Sequence, residues 1–285
     1  MKIAVSGANG YIAKNLMWEL KTDHHVIVII KRDILYNVNQ LTELLSGIDV
    51  VINLAGAPIL QRWTTNNKNE IFKSRIETTR NIIKAINGLP DNKRPGTFIS
   101  ASAIGIYSPD AVHTEESNSF SDDFVGKVVR NWENASADLS PKVRRVIFRI
   151  GLILGKEAKT MQNLVPLFKM GLGGKIGSGT QPFPFVDIND VVNAFVWGIY
   201  NEHANGIYNL VAPENIDNKE FTSVLAKSLK RPAFFTVPEF VLKLALGEAS
   251  SLLLQSPQVK PKRLLEEGFE FLFPDIKSCI AEIIT

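Results

Sequence analysis

Through the first half of the chain, short runs of Ile and Val alternate with longer segments whose apolar residues recur at helical spacing, and few folds accommodate that alternation. Residues 2–6, 25–30, 50–55, 97–101 and 145–150 read as strands. They are nearly continuous in Ile and Val rather than alternating with polar residues, as Val26-Ile27-Val28-Ile29-Ile30 shows. A sheet covered on both faces requires that pattern. Between the strands, residues 11–21 carry Ile12, Leu16 and Leu20 at helical spacing, and residues 66–86 carry Ile71, Ile82, Ile83 and Ile86. Residues 41–45 and 124–139 complete the set of predicted helices. Strand, helix and strand in series imply right-handed crossovers and a parallel α/β sheet.

The first strand runs into the turn Gly7-Ala8-Asn9-Gly10-Tyr11-Ile12-Ala13, a G-x-x-G-x-x-A pattern that opens the first helix. Gly7 permits a sharp exit from the strand, Gly10 has no side chain to obstruct a pyrophosphate, and Ala13 is small enough for helix and sheet to pack closely. The free backbone N–H groups around Asn9, Gly10, Tyr11 and Ile12 then face an anion at the helix N-terminus. The spacing therefore predicts a Rossmann-type doubly wound parallel sheet with a dinucleotide site. At the end of the second strand an NAD-type site places a carboxylate on the ribose hydroxyls. This chain has Ile30-Lys31-Arg32-Asp33. Two cations precede the acid, and a guanidinium clamps a 2′-phosphate through paired, charge-assisted hydrogen bonds. NADP(H) is thus favoured over NAD(H), with Lys31 and Arg32 as the discriminating residues. The competing reading makes Asp33 the ribose ligand and Arg32 a solvated loop residue.

After Gly155 the texture changes. Residues 170–179 (MGLGGKIGSG) are too rich in glycine for a helix and read as a loop closing over a ligand. Residues 183–186 and 206–211 read as strands and 188–199 as a helix. From Asn218 onward the pattern is mainly helical, punctuated by Pro232, Pro238, Pro257 and Pro261. The expected organisation is a nucleotide-binding domain over residues 1–155, with return elements near 183–211, followed by a smaller, mostly helical substrate or lid region over 156–285. A chain of 285 residues buries a sufficient core without covalent staples. The one cysteine, Cys279, lies in an apolar stretch and reads as a core thiol, which suits a reducing compartment. The net charge of +3, without a dense basic run, gives no nucleic-acid signal. No signal-peptide pattern and no apolar run of roughly 20 residues are present, so the expectation is a cytoplasmic protein with no membrane partner. Four histidines are scattered at spacings that fit no zinc site. Trp18 and Trp197 are expected in the core, and Trp63 is a candidate pocket wall.

Asn53-Leu54-Ala55-Gly56, at the end of the third strand, together with the glycine turn resembles the short-chain dehydrogenase/reductase superfamily. Further segments sharpen the likeness: Ala57-Pro58-Ile59, Arg62-Trp63-Thr64, Ser74-Arg75-Ile76-Glu77-Thr78-Thr79, Ser100-Ala101-Ser102-Ala103, Asn131-Trp132-Glu133 and Arg149-Ile150-Gly151. These resemble the YfcH-like or SDR39U1-like NAD(P)-dependent epimerase/dehydratase group of extended members. So does the glycine segment 173–181. Gly247-Glu248-Ala249, Arg263-Leu264-Leu265 and Gly268-Phe269 match its C-terminal domain, about residues 232–285. The resemblance covers essentially the whole chain. It implies that Leu54, Ala55, Gly56, Ser100, Arg149 and Gly151 belong to the cofactor site. Ser6 departs from the pattern, in which Gly or Thr is usual before the first glycine. Asp187 and Asn189 depart where His and Asp are expected, leaving Asp190 to cap the helix that follows.

Active members of the wider superfamily use a Ser or Thr together with a Y-x-x-x-K pair on one helix face, where the Lys lowers the phenol pKa. Counting back from Glu133 puts Val125 and Val129 in the Tyr and Lys places, and neither moves a proton. Ser102 remains a candidate to hydrogen-bond a substrate carbonyl and Tyr107 a candidate acid/base. The reading is therefore an NADP(H)-dependent oxidoreductase or epimerase-like protein for a small substrate, acting as a monomer or homodimer. An NADPH-binding regulatory or sensor protein without turnover is the alternative. A methyltransferase on the same fold is disfavoured by the Asn53–Gly56 segment and by Arg32.

Overall fold

The computed structural model describes residues 1–285. Its first half contains β1 (Lys2–Ser6), α1 (Tyr11–Thr22), β2 (Val26–Ile30), α2 (Val38–Leu45), β3 (Val50–Asn53), α3 (Thr65–Gly88), β4 (Thr97–Ala103), β5 (Val112–His113), α4 (Phe124–Asn134) and β6 (Arg144–Ile150). There follow β7 (Leu152–Leu154), α5 (Lys159–Lys169), β8 (Gly174–Ile176), β9 (Phe185–Asp187), α6 (Ile188–Tyr200), β10 (Gly206–Leu210) and α7 (Asn218–Ser228). The chain ends with β11 (Phe235–Val237), α8 (Glu239–Leu246), α9 (Ser251–Leu254), β12 (Gln258–Val259), α10 (Lys262–Glu266) and α11 (Ile276–Ile284).

Six strands form one parallel sheet in the order β10-β6-β4-β3-β1-β2. The chain leaves β1 toward β2 and then crosses to β3 on the other side, so the order reverses between β1 and β3. In such sheets a ligand crevice opens beyond the carboxyl ends of the strands at that reversal. Successive residues of each strand enter opposite cores. Ile3, Val5, Ile52 and Ile99 face a cluster that includes Leu16 and Leu20 of α1 and Val191 and Phe195 of α6. Ala4, Val51 and Phe98 face a second cluster with Leu41 and Leu45 of α2 and Ile82, Ile83 and Ile86 of α3. This two-sided burial is why β1, β3 and β4 read as continuous apolar runs; β2, at the sheet edge, leaves Val26 and Ile29 exposed. A third cluster joins Phe168 of α5, Phe221 and Leu225 of α7, and Cys279, Ile280 and Ile283 of α11. Cys279 is fully buried, and burial pushes its thiol pKa up. No helix is long and apolar enough to cross a membrane.

Several expectations need correction. Trp18 is 70% exposed rather than in the core. Ala13, Leu16 and Leu20 form the inward stripe of α1, and Trp18 lies two residues from Leu16, about 200° around the helix. The glycine segment 170–179 is not wholly a loop, because β8 pairs in parallel with β11 inside it. A Cβ on Gly174 would stand 2.1 Å from the carbonyl oxygen of Phe235, so only glycine admits that approach. Three-residue strands carry no period for a sequence reading to detect. Asp190 does not cap α6. Asp187 does so, accepting from Asn189 N at 2.8 Å. Asp190 instead accepts from the amides of Leu272 (2.7 Å) and Phe273 (3.1 Å), tying α6 to the approach to α11.

Asp190 is fully buried, and burial outweighs these two hydrogen bonds and pushes its pKa up to about 6. An acid with a raised folded-state pKa keeps its full contribution to stability below the unfolded pKa and loses it as pH rises through the folded value. Between about pH 4 and pH 6 this group therefore makes the protein less stable as pH rises. Asp190→Asn, a neutral isostere, lacks that loss. Urea denaturation should show the variant gaining roughly 2 kcal/mol on the wild type between pH 4 and pH 7. A stability difference that does not change with pH would contradict the assignment.

Candidate functional site

A cleft of about 530 Å³ opens beyond the carboxyl ends of β1, β2 and β3. One wall is the turn from Gly7 to Gly10, the second is formed by Lys31 and Arg32, and the third by Leu54, Ala55 and Gly56. Gly7 has φ +71°, and a Cβ there would lie 2.5 Å from the Leu54 carbonyl oxygen. Both the left-handed backbone and the close approach demand glycine. Gly10 donates to the Gly7 carbonyl at 2.8 Å, closing the turn, and serves as N-cap of α1 without any side-chain acceptor. The first N–H groups of α1 therefore have no partner within the chain. They carry the positive end of the helix dipole into the cleft, the arrangement an anion requires.

Ser6 gives this corner its rigidity. Its hydroxyl donates to Asn53 Oδ1 at 2.7 Å and accepts from the amides of Leu54 (3.1 Å) and Ala55 (3.2 Å). That capture ends β3 at Asn53, two residues short of the sequence estimate. Asn53 Nδ2 donates to Thr79 Oγ1 at 2.8 Å and to Ser100 Oγ at 3.4 Å. Ser100 is thus a buried support beneath the cleft and not part of its wall. Arg32 stands at the rim with its side chain 80% exposed, paired with Glu70 at 3.3 Å. Asp33 does not line the cleft. Asn9 does, and Tyr11 does not. The Tyr11 ring turns away, its hydroxyl lies 2.2 Å from where a Gly155 Cβ would stand, and burial pushes its pKa up to about 12. The Ile12 side chain packs onto the main core. Gly151, expected at the cofactor, instead admits the Pro184 carbonyl, 2.6 Å from the place of a Cβ.

A second polar row lies on β4, β6 and β10, where Ser102, Arg149 and Asn209 are in register. Glu133 of α4 binds it together. Its Oε1 accepts from Ser102 Oγ at 2.6 Å and Arg149 Nε at 2.8 Å, and its Oε2 accepts from Arg149 Nη2 at 2.7 Å. Arg149 Nη1 donates to the Tyr107 hydroxyl at 2.7 Å, which in turn faces Asn209 Oδ1 at 2.8 Å and the Thr114 carbonyl at 3.0 Å. Burial alone would lower the Arg149 pKa, but the hydrogen bonds and charge of Glu133 outweigh it and raise it. Burial keeps the Tyr107 pKa above that of a free phenol despite Arg149. Three residues singled out in the sequence, Ser102, Tyr107 and Arg149, fall in this row. Ser102 and Tyr107 spend their hydroxyls inside the fold, and Arg149 is a buried counter-charge with no face on the cleft.

Val125 and Val129, at the Tyr and Lys places of α4, are buried. A Cβ on Gly105 would lie 2.7 Å from Val125 Cγ1, so the valine packs directly against the chain just past β4. Trp63 is also buried, edge-on to Phe124 with ring centroids 5.0 Å apart. Sequence reasoning used Glu133 only as a landmark and missed Asn209 and Glu115. Glu115 accepts from the amides of Asn209 (2.9 Å) and Arg263 (3.3 Å), and burial raises its pKa. Nothing in the local sequence marks these residues, because their partners lie on strands and loops far along the chain.

Removing one member of a buried ion pair strands the other. Arg149→Met should lower the free energy of unfolding by about 3–5 kcal/mol in urea titrations, and Arg149→Met/Glu133→Met should recover part of that loss. A loss under about 1 kcal/mol would mean that the pair is as dispensable as a surface one.

A sequence model of the NAD dependent epimerase/dehydratase family matches residues 3–210, and one of a domain of unknown function, DUF1731, matches residues 237–283. The chain is 32% identical over 301 residues to the "Epimerase family protein SDR39U1 homolog, chloroplastic" of Arabidopsis thaliana, covering 100% of this chain and 87% of that one. The crystal structure of human epimerase family protein SDR39U1 (isoform2) with NADPH superposes with a TM-score of 0.91 at 31% identity, covering 100% of this chain and 99% of that one. A nucleoside-diphosphate sugar epimerase from Corynebacterium glutamicum superposes with a TM-score of 0.80 at 27% identity, covering 100% of this chain and 58% of the other.

Proposed function

The chain belongs to the NAD dependent epimerase/dehydratase family, and from that premise we propose that it is an NADP(H)-binding, epimerase-like protein of the extended short-chain dehydrogenase type that acts on a small substrate. The observation that carries this reading is the uncapped start of α1 facing a cleft whose ribose edge presents Lys31 and Arg32 while Asp33 stays outside it. The residues present fit the group. Gly7 and Gly10 leave the space a diphosphate needs, and the first amides of α1 supply donors without acceptors. The partner that Arg32 holds, Glu70, forms an exposed ion pair worth about 0–1 kcal/mol, so a 2′-phosphate displaces it at little cost. The related human protein was crystallised with NADPH, which supports the same choice of cofactor here.

When bound, the nicotinamide supplies hydride transfer, and the protein supplies position and field. The Leu54–Gly56 backbone lines the cofactor. The valines on α4 offer no proton, so a reduction here takes its proton from water or from the substrate. Reversible proton removal from a sugar carbon has no base among the residues placed so far, which favours reduction over epimerisation. One observation favours the alternative of an NADPH-binding regulatory protein: the hydroxyls of Ser102 and Tyr107 are both committed inside the fold. NADPH consumption against carbonyl compounds and sugar nucleotides separates the two, and tight binding without turnover selects the regulatory reading. A reducing compartment such as the cytoplasm suits the buried thiol of Cys279.

Arg32→Ala should weaken NADPH binding by about 1.5–3 kcal/mol in calorimetric titrations and leave NADH binding nearly unchanged, because only NADPH carries the 2′-phosphate. Equal weakening of both cofactors would overturn the role given to Arg32.

A further inference from the structure

Around β11 and α8 the chain carries large apolar side chains that nothing in the fold covers. Phe234 is 90% exposed, and Phe235 beside it is exposed as well. Directly after Pro238, α8 has no buried residue at all. Phe240 and Leu244, 69% and 76% exposed, stand at i and i+4 on one side of that helix. The pairing of Gly174 with Phe235 sets the exposed Leu172, on the approach to β8, near the approach to β11. Single apolar residues are ordinary on a surface, but this density marks a contact with something outside the chain.

Phe234 and Phe235 form one lip of a cleft of about 390 Å³ between the β8–β11 pair and α7. Its charged residues are all cations: Lys175 of β8, Lys219 and Lys227 of α7, and Arg231 just beyond it. None of the four is in an ion pair. Lys175 reaches one carbonyl, that of Ser178 at 3.0 Å, and the other three side chains bond nothing within the chain. A Cβ on Gly179 would lie 3.3 Å from Lys175 Cβ and 3.1 Å from Lys219 Cβ, so these two lysines rise side by side. Thr222 lines the same cleft, one turn after Lys219 on α7. It is only 5% exposed, yet its hydroxyl has no partner within the chain. The cleft thus offers unpaired positive charge and an open donor beside protruding aromatic rings.

We propose that this face docks on an anionic lipid surface. Lipid headgroup phosphates are received by Lys175, Lys219, Lys227 and Arg231, with the Thr222 hydroxyl donating within the cleft. Phe234, Phe235, Phe240 and Leu244 enter the boundary between headgroups and acyl chains. Acyl chains accept a side chain that projects almost wholly into solvent, whereas a folded partner needs a matching pocket for each one. A second copy of this face would set four cations against four. A membrane partner was not expected from a sequence without a spanning run, but docking on the surface needs no spanning helix. The dinucleotide cleft shares none of these residues, so the proposal stands independently of the cofactor reading.

Co-sedimentation of the full chain with vesicles tests this, using phosphatidylcholine alone and phosphatidylcholine mixed with phosphatidylserine. The wild type should bind the mixed vesicles about tenfold or more tightly than the neutral ones and lose most of that preference at high salt. Each cation at such a surface is worth about fivefold, so Lys219→Glu/Lys227→Glu should weaken binding to the mixed vesicles by about tenfold or more. Phe234→Ser/Phe240→Ser should also weaken it, and the residual binding should be more sensitive to salt. All four residues are exposed, so both variants should melt at the wild-type temperature. If either pair fails to fold, Lys219→Gln and Phe234→Ala are read singly against the same vesicles. No sedimentation, or affinity independent of lipid charge, overturns the proposal. Binding that survives the serine substitutions unchanged also overturns it, since that marks a purely electrostatic site of the kind a soluble phosphate or acidic protein would occupy.

Discussion

The site depends on one close contact, that of Gly7 against the Leu54 carbonyl, where β1 leaves the sheet beside the end of β3. A left-handed residue without a side chain is the only kind that fits there. Ser6 closes the same corner by taking the amides of Leu54 and Ala55 on its hydroxyl. With those amides satisfied by Ser6, the donors left open at this corner are the ones at the start of α1.

The two polar rows at the strand ends have different fates. Ser6, Asn53 and Ser100 sit side by side beneath the cleft and hold its floor rigid. Ser102, Arg149 and Asn209 form the second row, locked by Glu133 and Tyr107. Hydroxyls that are free in a proton-transfer site are here consumed by a buried ion pair, and the helix that would carry the Tyr and Lys carries two buried valines.

Much of this was legible in the sequence. The parallel sheet followed from apolar runs that only two-sided burial explains, and the glycine turn followed from spacing whose physical reason is local. Lys31 and Arg32 line the cleft, and Leu54 to Gly56 line it too. The failures share a cause. Trp18 was placed by residue type, although its angle on α1 puts it in water. Gly151 and Arg149 were assigned through likeness; in the structure Gly151 packs against the Pro184 carbonyl and Arg149 pairs with Glu133. The strands β8, β11 and β12 are too short to have a period. Contacts between residues a hundred positions apart, such as Tyr107 with Asn209, leave no trace in any window of sequence.

The central claim is that the open amides at the start of α1 receive the cofactor's diphosphate. Hydrogen–deuterium exchange of the whole chain with and without saturating NADPH tests it at the atoms concerned. The account predicts slowed exchange across residues 9–13 and at residues 54–56. NADPH binding that protects another segment and leaves residues 9–13 unchanged would contradict it.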